Sequence, residues 1–495
     1  EKQQKPTGEE LNQLIVQNVG KFSTFDTPSD NLNGADVPSI IKKFSVPTFL
    51  HDGPTEFIEL HVIMDTQDVP FELRKYMVLW FELMFESPAK VDGQVLPYEE
   101  VSVLATEDLI SQSVGIGVGG SFDRFVTIRL KVDPKNLENA AKWLDIYLNG
   151  VLFDVVFDAD RINIVTQELV DSASEANRDG LTVLNRLHWN MVHNKESNAA
   201  VYSVLALQKF HEKLLKDNST DVIDNLTKLR EMVVSAPMNV HLVCNKQEIE
   251  GHAISEEAWK FLAPKNNGSK KLECEAGSEI CWDRFRGGSQ AVIGVGATES
   301  SFLKQSAEFP EGWTGENTME TLLLAQYLSQ CEGPLWRAVR GKGLAYGANI
   351  YVIPDKHLIT VSLYRSSQTI EAYEMTKSIV KDVLASKALV ESEFEAAKRS
   401  LICELFESRD TVKTAAKESI VGTIRNTKAS FLNDFAKRIW SVTAEEVLSK
   451  GGPHLEAVFD DSKNVRSIVV HPSKIDEIKK HFKGIRVSTL KGLQI

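Results

Sequence analysis

The sequence has few cysteines, and none of them form a recognisable metal or redox pair. Five cysteines, at positions 244, 274, 281, 331 and 403, occur among 495 residues, and no two show C-x-x-C spacing. An odd number of cysteines without paired spacing is typical of reduced thiols. We therefore expect an intracellular protein rather than a secreted one stabilised by disulfides.

The sequence has no excess of positive charge, with 56 lysines and arginines against 69 aspartates and glutamates, and it has no long apolar run. The formal net charge is −13, which disfavours nucleic-acid binding because that affinity comes from cationic neutralisation of phosphates. No apolar run approaches the ~18 residues that a membrane-spanning helix needs. The N-terminal residues E-K-Q-Q-K-P-T-G-E-E resemble neither a signal peptide nor a transit peptide. We expect no membrane or nucleic-acid partner.

Two familiar motifs are incomplete. His211-Glu212 starts like H-E-x-x-H, but Leu215 stands where the second histidine should be. The stretch R-G-K-G-L-A-Y-G at 340–347 is rich in glycine like a phosphate loop, but Walker A places its glycines before the lysine, and G-x-G-x-x-G fails by one residue. These patterns argue against a zinc site of the H-E-x-x-H type and against a nucleotide-binding module.

The length predicts more than one core, since single domains stop growing at ~250–300 residues. Turn-rich stretches occur before residue 36 and again around 264–289. We therefore predict a linker or hinge segment at 1–35, a first domain at 36–263 and a second domain at 264–495.

A weak repeat with a period near 233 residues relates the two predicted domains. Each begins with a strand (57–64 and 290–297), continues with a helix (70–85 and 317–328), and then has a strand pair and a further helix. A central strand is also predicted over 291–303. Paired alternating strands followed by helices predict the α+β class, with an antiparallel-rich sheet and packed helices in each domain.

Residues 340–347 have a simple structural interpretation. A helix containing L-W-R-A-V-R could end at Gly341 or Gly343, either of which could adopt a positive φ. Arg340 would then suit the helix C-terminus electrostatically, and Tyr346 could be an ordinary strand residue. Spacing alone favours this interpretation.

The surrounding sequence nevertheless resembles a peptidase family. S-Q-C-E-G-P-L-W-R-A-V-R-G-K-G-L-A-Y-G-A, at 329–348, is similar to the C-terminal half of pitrilysin-family (M16) zinc metallopeptidases. The segments 71–88, 92–101 and 196–200 resemble the presequence-protease-like branch of that family, in particular its fungal cytosolic members. The resemblance covers nearly the whole chain.

The resemblance implies a clamshell of four similar α+β domains in two halves around a closed chamber, of which this chain would form one half. It also implies a catalytic zinc on an inverted H-x-x-E-H helix of the N-terminal half. Here the corresponding helix has Leu79 and Leu83 in place of both histidines, and only Glu82 is retained. We therefore expect this chain to bind no metal and to be inactive alone.

The resemblance also assigns the functional residues. Arg340 and Tyr346 would reach the scissile peptide, with Tyr346 stabilising the oxyanion and Arg340 holding the substrate. Gly347 and Ala348 would let an extended substrate approach.

The function implied is an intracellular zinc metalloendopeptidase that degrades unstructured peptides. Its zinc would come from an N-terminal half, on the same polypeptide or a separate chain. The location would be cytoplasmic, with the mitochondrial matrix as the alternative. The alternative function is an inactive scaffold or substrate-capture subunit, like those of the processing peptidase and of complex III.

Overall fold

A computed structural model describes residues 8–15, 22–26, 38–154, 160–216, 221–249, 255–262 and 271–495. Two six-stranded sheets form its frame. The first sheet and a small hairpin comprise β1 Ser23–Asp26, β2 Thr48–Asp52, β3 Ile58–Asp65, β4 Ala89–Val91, β5 Gln94–Leu96, β6 Ser111–Val118, β7 Ser121–Val132 and β8 Met238–Cys244. The second sheet comprises β9 Ser289–Gly294, β10 Ser301–Glu308, β11 Ala345–Ile353, β12 Leu358–Ser366, β13 Asn464–Val470 and β14 Arg486–Ser488.

The helices occupy the stretches between these strands. They are α1 Gly8–Leu14, α2 Phe71–Arg74, α3 Met77–Phe85, α4 Tyr98–Asp108, α5 Leu137–Asp145, α6 Arg161–Ala176, α7 Gly180–Val192, α8 Asn198–Val201, α9 Val204–Lys216, α10 Asp221–Val234, α11 Lys246–Ile249, α12 Thr318–Ser329, α13 Thr369–Ser386, α14 Glu391–Glu407, α15 Val412–Ile424, α16 Phe431–Ser441, α17 Ala444–Val458 and α18 Ile475–His481. None of these helices has the length and apolar character needed to cross a bilayer.

The two sheets have equivalent strand orders. They run β6-β7-β3-β8-β2-β1 and β11-β12-β10-β13-β9-β14. Most pairs are antiparallel, and the parallel pair β2–β8 in one sheet matches β9–β13 in the other. The edge pairs differ, because β1–β2 is antiparallel and β9–β14 is parallel. The α+β prediction with antiparallel-rich sheets is confirmed.

The sheet order corrects the strand pairing of the predicted repeat. The strand predicted at 57–64 is β3, and its counterpart in the second sheet is β10. The strand predicted at 290–297 is β9, and its counterpart in the first sheet is β2. The strand predicted at 291–303 is in fact two, because the chain leaves β9 at Gly294 and starts β10 at Ser301. Gly294 lies against Pro472, where an added Cβ would come within 3.1 Å of the proline Cα.

The helix predicted at 70–85 is also divided. It consists of α2 and α3, separated after Arg74. The Arg74 guanidinium is buried and donates hydrogen bonds to the Val69 carbonyl and to Asn198 Oδ1, each at 2.8 Å. These bonds fix the first turn independently of α3.

Each sheet is covered on one face by a helix from the other half of the sequence. In α7, Val183, Leu184 and Leu187 pack on the second sheet, and His188 joins Ser306 and Ser467 at 2.8 and 3.0 Å. The helix α15 packs on the first sheet in the same way through its apolar residues 416, 420 and 421. The sheets are therefore buried on both faces, which explains why every residue of β8 and β13 is buried.

The predicted hinge and domain boundary fall largely or wholly outside the described residues. Of residues 1–35, α1 packs against the second core through Leu11, and β1 pairs with β2. Residues 263–270, around the predicted domain boundary, lie outside the described residues. The hinge role and the division at 263/264 stay predictions.

Candidate substrate-contact site

A tight turn connects a π-helical segment, which follows α12, to the edge strand β11. Arg340 ends a π-helical turn, Trp336–Arg340, in which the Gly341 N–H donates to the Trp336 carbonyl at 2.9 Å. Gly341 is required sterically, because an added Cβ would lie 2.5 Å from the Arg337 carbonyl oxygen. Gly343 has φ of +71°, so of the two predicted helix-ending glycines it is the one with the left-handed conformation.

The end of β12 holds this turn in place. The Leu344 carbonyl accepts hydrogen bonds from Ser366 Oγ at 2.9 Å and from the backbone N–H groups of Ser367 and Gln368 at 3.1 and 3.3 Å. Ser367 Oγ also donates to the Gly343 carbonyl at 2.9 Å. The separation of Arg340 and Tyr346 is therefore set by backbone that is anchored at several points.

Arg340 and Tyr346 stack on each other at the surface. The guanidinium carbon lies 4.5 Å from the centre of the Tyr346 ring and 5.7 Å from that of Trp336. Tyr346 is 59% exposed, and Arg340 is exposed as well. Within the described residues, Arg340 forms no ion pair and the Tyr346 hydroxyl has no hydrogen-bond partner. Their polar groups face solvent and are available to a ligand.

Two residues that sequence reasoning missed extend the stack. The Tyr364 ring meets Tyr346 edge to face, with centres 6.2 Å apart, and the Arg365 guanidinium lies 5.3 Å from the Tyr364 ring centre. The hairpin register, which pairs Gly347 with Tyr364, brings them together. The signal available in the sequence was the tyrosine-arginine pair that ends the second strand of the predicted pair.

Gly347 and Ala348 lie on β11, which pairs with β12 and with no other described strand. The Ala348 side chain is 7% exposed and belongs to the second core. An added Cβ at Gly347 would meet Asn349 and Tyr364 at ordinary distances of 3.5 and 3.6 Å. Ile350 N–H and C=O bond Ser329 Oγ on the side away from β12, so the alternation along a strand places the backbone groups of Ala348 on that open side and those of Gly347 toward β12.

Curated relatives extend well beyond this chain. Caenorhabditis elegans protein C05D11.1, described as uncharacterized, is 38% identical over 98% of this chain and 49% of its own length. The uncharacterized Saccharomyces cerevisiae protein YOL098C is 24% identical over 88% of the chain and 44% of its own length. The chain thus spans about half the length of the relatives it matches. No protein-family model matches it.

Solved structures show the fold. Pitrilysin superposes with a TM-score of 0.62 at 11% identity, covering 90% of this chain and 44% of pitrilysin. A conserved protein from Enterococcus faecalis superposes with a TM-score of 0.64 at 14% identity, covering 86% of this chain and 97% of that protein. A peptidase M16 inactive domain from Pseudomonas fluorescens superposes with a TM-score of 0.58 at 15% identity, covering 86% of this chain and 96% of that domain. The chain has the M16 peptidase fold.

The residues at the predicted M16 zinc position do not suit a metal. Leu79 and Leu83 are fully buried in the first core and offer no donor atom. Glu82 lies on the exposed side of α3, and partial burial of its carboxyl, with the charges of Glu86 and Glu168, raises its pKa. Among the described residues, no group of three or more His, Cys, Asp or Glu side chains could hold a metal ion.

Proposed function

We propose that this chain is the C-terminal half of an intracellular M16-type zinc metalloendopeptidase that degrades unstructured peptides in a closed chamber. The observation that supports this most is the exposed Arg340–Tyr346 stack, whose polar groups have no partner in the described residues. A stack needed only for stability would gain from hydrogen bonds that this one lacks.

The neighbouring strand edge suits an extended peptide. β11 leaves one row of backbone N–H and C=O groups without a strand partner among the described residues, and such an edge accepts a further strand. Ala348 would take part through these backbone groups, because Ile350, two residues along, bonds Ser329 Oγ on the side away from β12. Gly347 would let the peptide approach closely because it has no side chain. An unstructured peptide could pair with this edge directly, whereas a folded protein would first have to release one of its own strands.

The stack beside this edge would act on the peptide bond. The Tyr346 O–H can donate a hydrogen bond to a carbonyl oxygen as negative charge develops on it. Arg340, always charged and carrying several donors, can hold the same oxygen or the neighbouring backbone. One such donor lowers a barrier by roughly 3–4 kcal/mol in a site that excludes water.

The zinc of the complete enzyme would belong to an N-terminal half, on the same polypeptide or on a separate chain. The half-length match to the curated relatives and to pitrilysin supports this arrangement. Nearness to the presequence-protease-like branch and a cytoplasmic location, with the mitochondrial matrix as alternative, remain part of the same proposal.

A second candidate is an inactive M16-like scaffold or substrate-capture subunit. The buried Leu79 and Leu83 and the similarity to an M16 inactive domain favour it. The free polar groups of Arg340 and Tyr346 favour the peptidase, because a scaffold has no chemical use for an oxyanion donor.

Peptide cleavage by the full-length protein carrying this chain distinguishes the two candidates. In Tyr346→Phe, kcat should fall by about a hundredfold or more, while KM changes little, because the lost hydrogen bond forms mainly in the transition state. Tyr98→Phe is the matched control, since Tyr98 also stacks under an arginine, Arg161, at 4.1 Å. Absence of zinc-dependent cleavage by the wild type would favour the scaffold, and normal turnover in Tyr346→Phe would remove this residue from the mechanism.

A further inference from the structure

A cavity of about 440 Å³ lies between α7 and the β9–β14 edge of the second sheet. It is distinct from the Arg340–Tyr346 stack, and no lining residue is shared with it. The lining residues are Arg186, Leu187, Asn190, Met191, His193, Lys195, Ala200, Arg284, Ser289, Arg486, Ser488, Gly492, Leu493, Gln494 and Ile495.

The charged side chains that line this cavity all have one sign. Arg186, Lys195, Arg284 and Arg486 contribute cationic groups, and no lining residue is an aspartate or glutamate. The chain as a whole carries a net charge of −13, so a cavity with basic and no acidic residues departs from its average composition. Within the described residues, none of the four cations forms an ion pair.

Arg186 is the most informative of them. Its side chain belongs to a residue only 3% exposed, and its Nε and Nη1 atoms are buried without a hydrogen-bond partner. Burial lowers its pKa to about 9. A buried guanidinium without a counter-charge is costly to a fold, and an anion in the cavity would remove that cost.

Further donors surround the same space. Arg284 is oriented by a hydrogen bond to the Asn190 carbonyl, and Arg486 projects from the edge strand β14. His193 is also buried; neither of its ring nitrogens makes a hydrogen bond, and its Nε2 lies 3.8 Å from Asp123 Oδ2. The cavity therefore offers cationic donors from α7, from the turn after it, and from the edge of the second sheet.

We propose that this cavity binds a compact small molecule that carries more than one phosphate charge. Guanidinium groups match phosphate oxygens through paired N–H donors, and a volume of this size is within the range of small-molecule sites. Four cationic side chains with no acidic side chain in the lining favour a multiply charged anion over a single carboxylate.

Isothermal titration calorimetry on the full-length protein tests the proposal, with pyrophosphate, ATP and citrate as separate probes at physiological ionic strength. We expect pyrophosphate or ATP to bind at one site and more tightly than citrate. Arg186→Met and Arg486→Ala should each weaken that binding by about tenfold or more, because each removes charge-assisted hydrogen bonds. Arg286→Ala should change nothing, since Arg286 is exposed and does not line the cavity.

The ligand-free melting temperature separates a binding role from a structural one. Removal of an unpaired buried charge should leave the melting temperature of Arg186→Met unchanged or raised, and ligand should raise that of the wild type. If Arg186→Met does not fold, the exposed Arg486→Ala variant still tests whether the cavity binds the phosphate probes. Absence of binding of both phosphate probes, equal binding by the Arg486→Ala variant, or tighter binding of citrate would overturn the assignment.

Discussion

Two arginine–tyrosine stacks in this molecule have nearly the same geometry and different surroundings. Arg161 lies 4.1 Å from the centre of the Tyr98 ring, and Arg340 lies 4.5 Å from that of Tyr346. Arg161 also donates from Nε to the Glu86 carbonyl at 2.7 Å and pairs with the Glu86 carboxylate. Its side chain is 12% exposed, whereas Arg340 is exposed and forms no ion pair with a described residue.

The partners of the two arginines differ, although the arginine–tyrosine motif is the same in both stacks. Arg161 uses its charge to attach α6 to the end of α3, so its contribution is to the folded state. Arg340 gains only cation–π contacts with Tyr346 and Trp336, each worth ~0.5–1 kcal/mol at an exposed site, and forms no ion pair with a described residue. The same pair of residue types can therefore support two roles, and we propose that the hydrogen-bond partners distinguish them.

The largest expected effect concerns activity at the exposed stack. In the full-length protein, Arg340→Ala should lower kcat/KM for an unstructured peptide by about a hundredfold. Its melting temperature should stay within error of the wild type, because substitutions of exposed side chains away from special features change stability by less than ~0.5 kcal/mol. A large loss of stability with normal turnover would reverse our assignment of this stack.

The opposite outcome is expected at the half-buried Arg161–Tyr98 stack. Arg161→Ala should lower the free energy of unfolding by about 1–2 kcal/mol, since it removes two hydrogen bonds to Glu86, whose carboxylate is partly exposed and so partly screened. Urea denaturation measures this change, and turnover by the folded fraction should match the wild type. Unchanged stability would show that the Glu86 contacts contribute nothing measurable.

A smaller effect is expected at the turn that spaces Arg340 from Tyr346. Gly343→Ala places a Cβ at φ of +71°, which costs roughly 1 kcal/mol. Gly287→Ala is the matched control, because that glycine has neither a positive φ nor any atom near an added Cβ. Peptidase activity should fall in Gly343→Ala alone, and equal behaviour of the two variants would show that the turn geometry does not matter.

The sequence pattern predicted individual helices and strands, which depend mainly on local sequence. The helix predicted at 317–328 is α12, Thr318–Ser329, and the strand–helix repeat has the correct class of elements. The pairing of 57–64 with 290–297 was wrong because strand order in a sheet is a non-local property. Equivalence between β3 and β10 appears only when their neighbours in the sheet are known.

The candidate site was predictable only where it depends on local sequence. The family resemblance singled out Arg340 and Tyr346, and the left-handed φ of Gly343 was one of two alternatives foreseen for the helix end. Tyr364 and Arg365 are brought in by the hairpin register. The cavity around Arg186 joins α7 of the first half to the edge of the second sheet, and no local pattern predicts such a contact.

The central claim, that the Arg340–Tyr346 stack contacts a peptide, can be tested by photo-crosslinking. Benzoylphenylalanine would replace Tyr346 in the full-length protein, and Tyr98 in a matched variant, before irradiation with a labelled unstructured peptide. The account predicts a peptide adduct at position 346 that excess unlabelled peptide abolishes, and no adduct at position 98. Equal labelling at both positions, or none at 346, would contradict it.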